Sequence, residues 1–166
     1  MLEDKLKEKI KRETDEKERQ MTESERKKKH RSDFDNLADP IIKEYLNEFL
    51  KLTKKYNIKK TKIEVSTSGM SQLFGRGYKA KEAWSLPIGY IGENGTFYFY
   101  DRTAGGLNTE AIFKKVSLDE ALEKLCDHFY ERYIYGKKGN AYQIVLDEAE
   151  IRKVIEIEFL NCMHTS

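Results

Sequence analysis

Residues 83–102 read Ala83-Trp84-Ser85-Leu86-Pro87-Ile88-Gly89-Tyr90-Ile91-Gly92-Glu93-Asn94-Gly95-Thr96-Phe97-Tyr98-Phe99-Tyr100-Asp101-Arg102. Asn-Gly flanked by alternating apolar residues is the strongest short-range hairpin signal. With Asn94 and Gly95 as the loop, Glu93 faces Thr96 and Tyr90 faces Phe99. One face then carries Trp84, Leu86, Ile88, Tyr90, Phe97 and Phe99, and this is the expected core face. The other carries Pro87, Gly89, Ile91, Tyr98, Tyr100 and Arg102. Pro87 cannot donate to a ladder, so its strand is expected at a sheet edge or with a bulge.

Upstream, Thr61–Ser66 alternates with Ile63 and Val65 on one face and predicts another strand. Ile42, Tyr45, Leu46, Phe49, Leu52 and Tyr56 recur at helical spacing, and Asp39-Pro40 reads as N-cap and first helical position. A first core helix is therefore expected over residues 40–56. Downstream, Ala111–Val116 predicts a strand. Ser117-Leu118-Asp119-Glu120 is a capping box opening a helix with Leu118, Leu122, Leu125, Phe129 and Tyr133 inward. Tyr142–Leu146 suggests a short strand. Asp147 with Glu150 caps a last helix that places Ile151, Val154, Ile155, Phe159 and Cys162 inward, although Val154–Phe159 also alternates as a strand would.

The N-terminal stretch is different. Residues 2–31 read as helix without a core. Leu2, Leu6 and Ile10 form a short stripe, and Met21 is the only apolar residue between Ile10 and Phe34. Acid-first i,i+4 pairs such as Glu3–Lys7 and Glu8–Arg12 support such a helix only weakly. Thr22-Glu23-Ser24-Glu25 fits a capping box, so a break and restart is expected there. The fold class is therefore α+β: a mainly antiparallel sheet on the 83–102 hairpin, about three helices, and a charged helical arm. The arm is assigned to residues 1–38 and the compact domain to residues 39–166.

Of the 166 residues, 36% are charged and 39% hydrophobic, a polar balance for a chain that must bury a core. Net charge is only +2, but it is unevenly spread. Residues 1–38 carry 12 Lys/Arg against 11 Asp/Glu, residues 51–81 carry 9 against Glu64 alone, and residues 82–166 carry 9 against 14. Met1–Ile10 has no apolar run, so neither a signal peptide nor a membrane span is expected. Two cysteines make no disulfide framework, and a cytoplasmic protein with free thiols is the expectation. The Lys-, Ile-, Tyr- and Asn-rich wording suits an AT-rich genome.

Chemistry-bearing motifs are sparse. Cys126-Asp127-His128 and Cys162-Met163-His164 pair the usual zinc ligands, but at a spacing that structural sites do not favour, so no metal is expected. Only His128 sits in a firm element, where a solvated surface position is its plainest role. Carboxylate pairs such as Asp119/Glu120 and Glu156/Glu158 are what any charged helix face supplies. Ser66–Ser71 and Gly75-Arg76-Gly77 offer hydroxyls and pliant backbone for an anion, but neither matches a phosphate-cradling loop. No catalytic residue and no cofactor are expected.

The best-supported surface is basic. Lys51, Lys54, Lys55, Lys59, Lys60 and Lys62 run from the end of the first core helix into the first strand, and Arg76, Lys79 and Lys81 follow. Phe74, Tyr78 and Trp84 are interleaved. A helix C-terminus accounts for Lys54 and Lys55 but not for the rest. Lys/Arg clusters bind nucleic acid through phosphate, and Tyr98, Tyr100 and Arg102 on the outward face can stack bases. The leading expectation is a non-enzymatic protein that engages nucleic acid or a nucleoprotein through residues 51–81. The second is a protein–protein module, such as an inhibitor, immunity or assembly factor of a phage or other mobile element. Its contacts would come from the arm, through Leu2, Leu6, Ile10, Lys27, Lys28, Lys29 and Arg31. The third is an enzyme of unrecognised type.

Overall fold

A computed structural model describes residues 1–66, 78–101 and 111–165. Four α-helices and five strands follow one another: α1 (Leu2–Gln20), α2 (Glu23–Lys55), β1 (Thr61–Ser66), β2 (Tyr78–Ser85), β3 (Tyr90–Ile91), β4 (Phe97–Tyr100), β5 (Ile112–Val116), α3 (Leu118–Ile134) and α4 (Glu148–Cys162). The class is α+β. No helix among the described residues is long and apolar enough to cross a membrane.

The strands do not form an open sheet on one hairpin. They close into a barrel in the order β1-β2-β3-β4-β5. Four neighbouring pairs are antiparallel, and β5 returns beside β1 in parallel, Val65 opposite Phe113. The turn at Asn94-Gly95 is present, but its register differs by one residue from expectation. Gly92 N–H donates to the Thr96 carbonyl at 2.8 Å and Gly95 N–H to the Gly92 carbonyl at 2.9 Å. Gly95 takes φ +84°, and neither Glu93 nor Asn94 has a positive φ. This is a three-residue loop, a turn closed by a left-handed glycine, rather than a two-residue one. Ile91 therefore faces Phe97 and Tyr90 faces Tyr98. A one-residue slip moves every side chain on the strand to the opposite face. Ile91 belongs to the core and Tyr90 does not share its face, the reverse of the sequence reading.

Pro87 sits where the chain turns between β2 and β3. Leu86 N–H donates to the Gly89 carbonyl at 2.9 Å. Gly89 has φ +76°, and a Cβ there would stand 2.8 Å from the Tyr98 carbonyl oxygen. The turn leaves Ile88 exposed, not in the core.

The second correction concerns α2. It starts at Glu23, not Pro40, and runs without interruption through the expected boundary at residues 38/39. Thr22 caps it, its hydroxyl accepting from Glu25 N–H at 3.3 Å. His30, Phe34 and Ala38 are buried upstream of Pro40 and continue the face of Ile41, Ile42, Leu46 and Phe49. At the far end Asn57 adopts φ 50°, and Ile58 N–H bonds back to the Thr53 carbonyl at 3.1 Å, closing the helix with a Schellman turn.

The core lies between these layers. Trp84, Leu86, Ile91, Phe97, Phe99 and Val116 on the barrel's outer wall pack with the α2 face and with Leu125, Phe129, Tyr133, Ile151, Ile155 and Phe159 of α3 and α4. The expected caps open both helices: Ser117 Oγ accepts from Glu120 N–H at 3.2 Å, and Asp147 Oδ1 from Ala149 N–H at 2.9 Å. Val154–Phe159 is helical, and the strand expected near residues 142–146 is absent, a 3-10 turn at Ala141–Gln143 standing in its place. His30 locks that connection to α2. Its Nε2 lies 2.8 Å from the Ile144 carbonyl, which can only accept, and its Nδ1 lies 2.9 Å from the Tyr130 hydroxyl, so a neutral ring donates to the carbonyl and accepts from the hydroxyl.

Candidate nucleic-acid interface

A second, smaller cluster of side chains lies on the inner wall of the barrel. Ile63, Val65, Ala83 and Tyr98 are buried there, with Tyr90 and Phe113 packed against them. Residues directly opposite in a ladder share a face. The pairs Ile63–Lys81, Val65–Lys79, Ser85–Tyr90, Tyr90–Tyr98, Tyr98–Lys115 and Tyr100–Phe113 therefore place Lys79, Lys81 and Lys115 on the same face as Tyr90, Tyr98, Tyr100 and Phe113. No carboxylate occupies that face among the paired residues.

Lys79 and Lys81 reach solvent because β2 is longer than β3: only Trp84 and Ser85 of β2 pair with β3, so among the described residues the Tyr78–Glu82 end pairs with β1 alone. Lys79, Lys81 and Lys115 are all exposed, and none makes an ion pair among the described residues. The aromatics form a row. Tyr90 meets the Phe113 ring edge-on at 5.0 Å, and Tyr100 meets it edge-on at 6.2 Å. Tyr100 keeps 54% of its surface exposed while Tyr98, at 8%, is the floor beneath.

The other expected contact residues are dispersed. Lys54 and Lys55 are exposed in the last turn of α2. Lys59 is exposed, its N–H held by the His164 carbonyl at 2.8 Å. Lys60 is engaged with Glu93 at 3.3 Å and lies 5.1 Å above the Trp84 ring. Lys62 stands opposite Glu82 on the outer wall, and Tyr78 opposite Ser66 on that same wall. Arg76 and Arg102 lie outside the described residues, as do Phe74, both glycine-bearing loops and their hydroxyls after Ser66. Tyr90 was expected on the core face of the hairpin, and Phe113 and Lys115 were not singled out in the sequence. The alternation of Phe113 and Lys115 in β5 is visible there, but its parity relative to Tyr98 depends on the β4–β5 register.

In the arm, every residue of α1 is exposed, including Leu2, Leu6 and Ile10. Arg26 donates to the Glu18 carbonyl at 3.1 Å and Lys29 pairs with Glu18 at 3.6 Å, joining α1 to α2. Lys27 pairs with Glu23, and Lys28 is exposed. Arg31 is held in place: it bonds Asp35 and Asp127 and lies over the Tyr130 ring.

The thiols sit in environments that suppress their reactivity. Burial pushes the Cys126 thiol up to about 12 and the Cys162 thiol up to about 11, and a thiol rather than a thiolate is a poor nucleophile and metal ligand. Cys162 donates to the Glu158 carbonyl at 3.2 Å. His128 and Arg132 both contact Glu158, at 3.3 and 3.6 Å. Among the described residues no three His, Cys, Asp or Glu side chains converge as a metal site. No family model, curated protein or solved structure matches the chain.

Proposed function

We propose that this chain is a non-catalytic nucleic-acid-binding protein and that the inner wall of its barrel is the contact surface. The observation that carries this reading is the shared face of Lys79, Lys81 and Lys115 with Tyr90, Tyr100 and Phe113. Lysines with no ion pair among the described residues attract phosphate, and the exposed Tyr100 ring beside them, backed by half-buried Tyr90 and Phe113, accepts an unpaired base. Lys54, Lys55 and Lys59 add a diffuse positive field at the end of α2.

The test is fluorescence anisotropy with a labelled single strand and a duplex of the same length, over a salt series. Binding tightens steeply as salt falls. Each phosphate contact on a single strand contributes a slope of about 0.7, so Lys79→Glu, Lys81→Glu and Lys115→Glu together lower the slope by about 2 and abolish binding at physiological salt. Tyr100→Ala weakens the single strand more than the duplex. Absence of binding at low salt removes the proposal.

A further inference from the structure

Burial without a partner singles out two lysines. Among the described residues, Arg26, Arg31, Lys60 and Arg152 are half-buried cations, and each is held by a protein oxygen: the Glu18 carbonyl, Asp35 and Asp127, Glu93, and Glu44 respectively. Lys114 and Lys124 are half-buried as well, yet neither makes an ion pair or a hydrogen bond among the described residues. Glu120, one turn before Lys124, forms no ion pair with it. Taking an ammonium partly out of water costs free energy that an acceptor normally offsets. The two lysines also stand together. Lys114 on β5 lies directly opposite Phe99 on β4, and Lys124 of α3 holds its Nζ 5.8 Å from the Phe99 ring centroid.

Both lysines line one cleft at the end of β4 and β5, with a volume of about 470 Å³, together with Ile88, Gly89, Tyr100 and Phe113. That volume lies within the range of about 300–1,000 Å³ usual for small-molecule sites. Phe99 is a fixed floor, only 2% exposed. A Cβ on Gly89 would stand 2.9 Å from the Phe99 ring, so the glycine lets the turn between β2 and β3 lie against it. Tyr100 is 54% exposed and Ile88 38%, which gives the cleft an apolar, partly aromatic wall beside its cations. Asp101, 8% exposed, is the one acid among the described lining residues. Two lysines against one aspartate leave that lining net positive.

We propose that this cleft binds a nucleoside monophosphate group, either as a free nucleotide or as the phosphorylated end of a strand. A phosphate monoester carries a charge of about −1.5 to −2 and three acceptor oxygens, so one group can bridge both ammonium donors. The base then lies against Tyr100 and Phe113. Lys114 faces away from Lys115, its neighbour on β5, and stands with Phe99 on the barrel's outer wall. The site therefore goes beyond the inner-wall reading and shares only Tyr100 and Phe113 with it.

The experiment is calorimetric titration of the full chain with adenosine monophosphate, adenosine and ribose phosphate, alongside anisotropy with one labelled strand carrying either a phosphate or a hydroxyl at its 5′ end. The monophosphate binds about tenfold or more tightly than adenosine and than ribose phosphate if the source is a free nucleotide. The phosphorylated strand binds about tenfold or more tightly than the hydroxyl strand if the source is a strand end. Lys114→Gln and Lys124→Gln each remove most of that preference, and Lys114→Arg and Lys124→Arg retain it. Lys79→Glu with Lys81→Glu leaves the monophosphate affinity, or the ratio between the two strands, unchanged, which tells failure of the inner-wall reading apart from failure of this one. The comparisons on the wild type need no variant to fold. A chain that prefers neither the monophosphate nor the phosphorylated strand overturns the proposal. So do folded glutamine variants that bind as the wild type does, or ribose phosphate bound as tightly as the monophosphate.

Discussion

Pro40 is the residue at which local preference and tertiary packing oppose each other. Inside α2 it lacks the N–H that would bond the Asn36 carbonyl, and its ring crowds the preceding turn. Its own side chain is exposed and contributes nothing to the core. The helix persists because Phe34, Ile41 and Ile42 on either side are at most 2% exposed, each burial being worth about 1.5–3 kcal/mol. Pro40→Ala is therefore expected to raise stability by about 1–3 kcal/mol, read as a higher urea midpoint with unchanged slope. A lower midpoint would mean that a bend at Pro40 is needed to seat Ile41 and Ile42. Cys126 gives a pH prediction. Its folded thiol is raised, by burial first and then by Asp35 and Asp39, from 9.0 to about 12. The folded state thus holds this proton more tightly than the unfolded chain. Its contribution is complete below about pH 9 and is lost as pH rises towards 12. The stability difference between wild type and Cys126→Ala is expected to be flat from neutral pH to 9 and to shrink above it. A difference that grows with pH would contradict the assignment.

Elements respond to the same chemistry according to what they bury. Ser117 caps α3, which carries Leu125 and Phe129 into the core; Ser117→Ala is expected to lower global stability by about 1 kcal/mol. Thr22 makes the same kind of cap on α2, but Glu23–Lys29 buries no side chain. Thr22→Ala should speed hydrogen exchange in that turn while barely moving the global midpoint. Equal losses from the two variants would tie the first turn of α2 to the core. These caps were legible in the sequence because a cap is a local bond between residues three apart. So were β1, β5 and the Asn94-Gly95 turn. The start of α2 was not, because Asp39-Pro40 carries an equally good local signal, and only the long-range bonds of His30 to Tyr130 and Ile144 reveal that the upstream turns are buried. The hairpin register was not legible either. Two- and three-residue loops both use Asn-Gly, and both Tyr90–Phe99 and Ile91–Phe97 are good apolar pairs. The candidate face followed that error: Tyr98, expected to face outward, is buried in the barrel's own cluster, and that Tyr90, Phe113 and Lys115 share a face with Tyr100, Lys79 and Lys81 depends on pairings between strands distant in sequence.

For the whole molecule, the arm and the barrel are separable. α1 buries nothing and is joined to α2 by two contacts to Glu18, both at the surface, so deletion of residues 1–20 is expected to leave the thermal midpoint unchanged. The same deletion leaves Lys79, Lys81, Lys115 and the aromatic row intact. The proposed contact face therefore does not need the arm, and the truncated chain is expected to bind a single strand as tightly as the full chain does. Titrations of one labelled strand against both chains at one salt concentration read this directly. A loss of affinity on deletion would place the arm's own lysines and arginines in nucleic-acid contact.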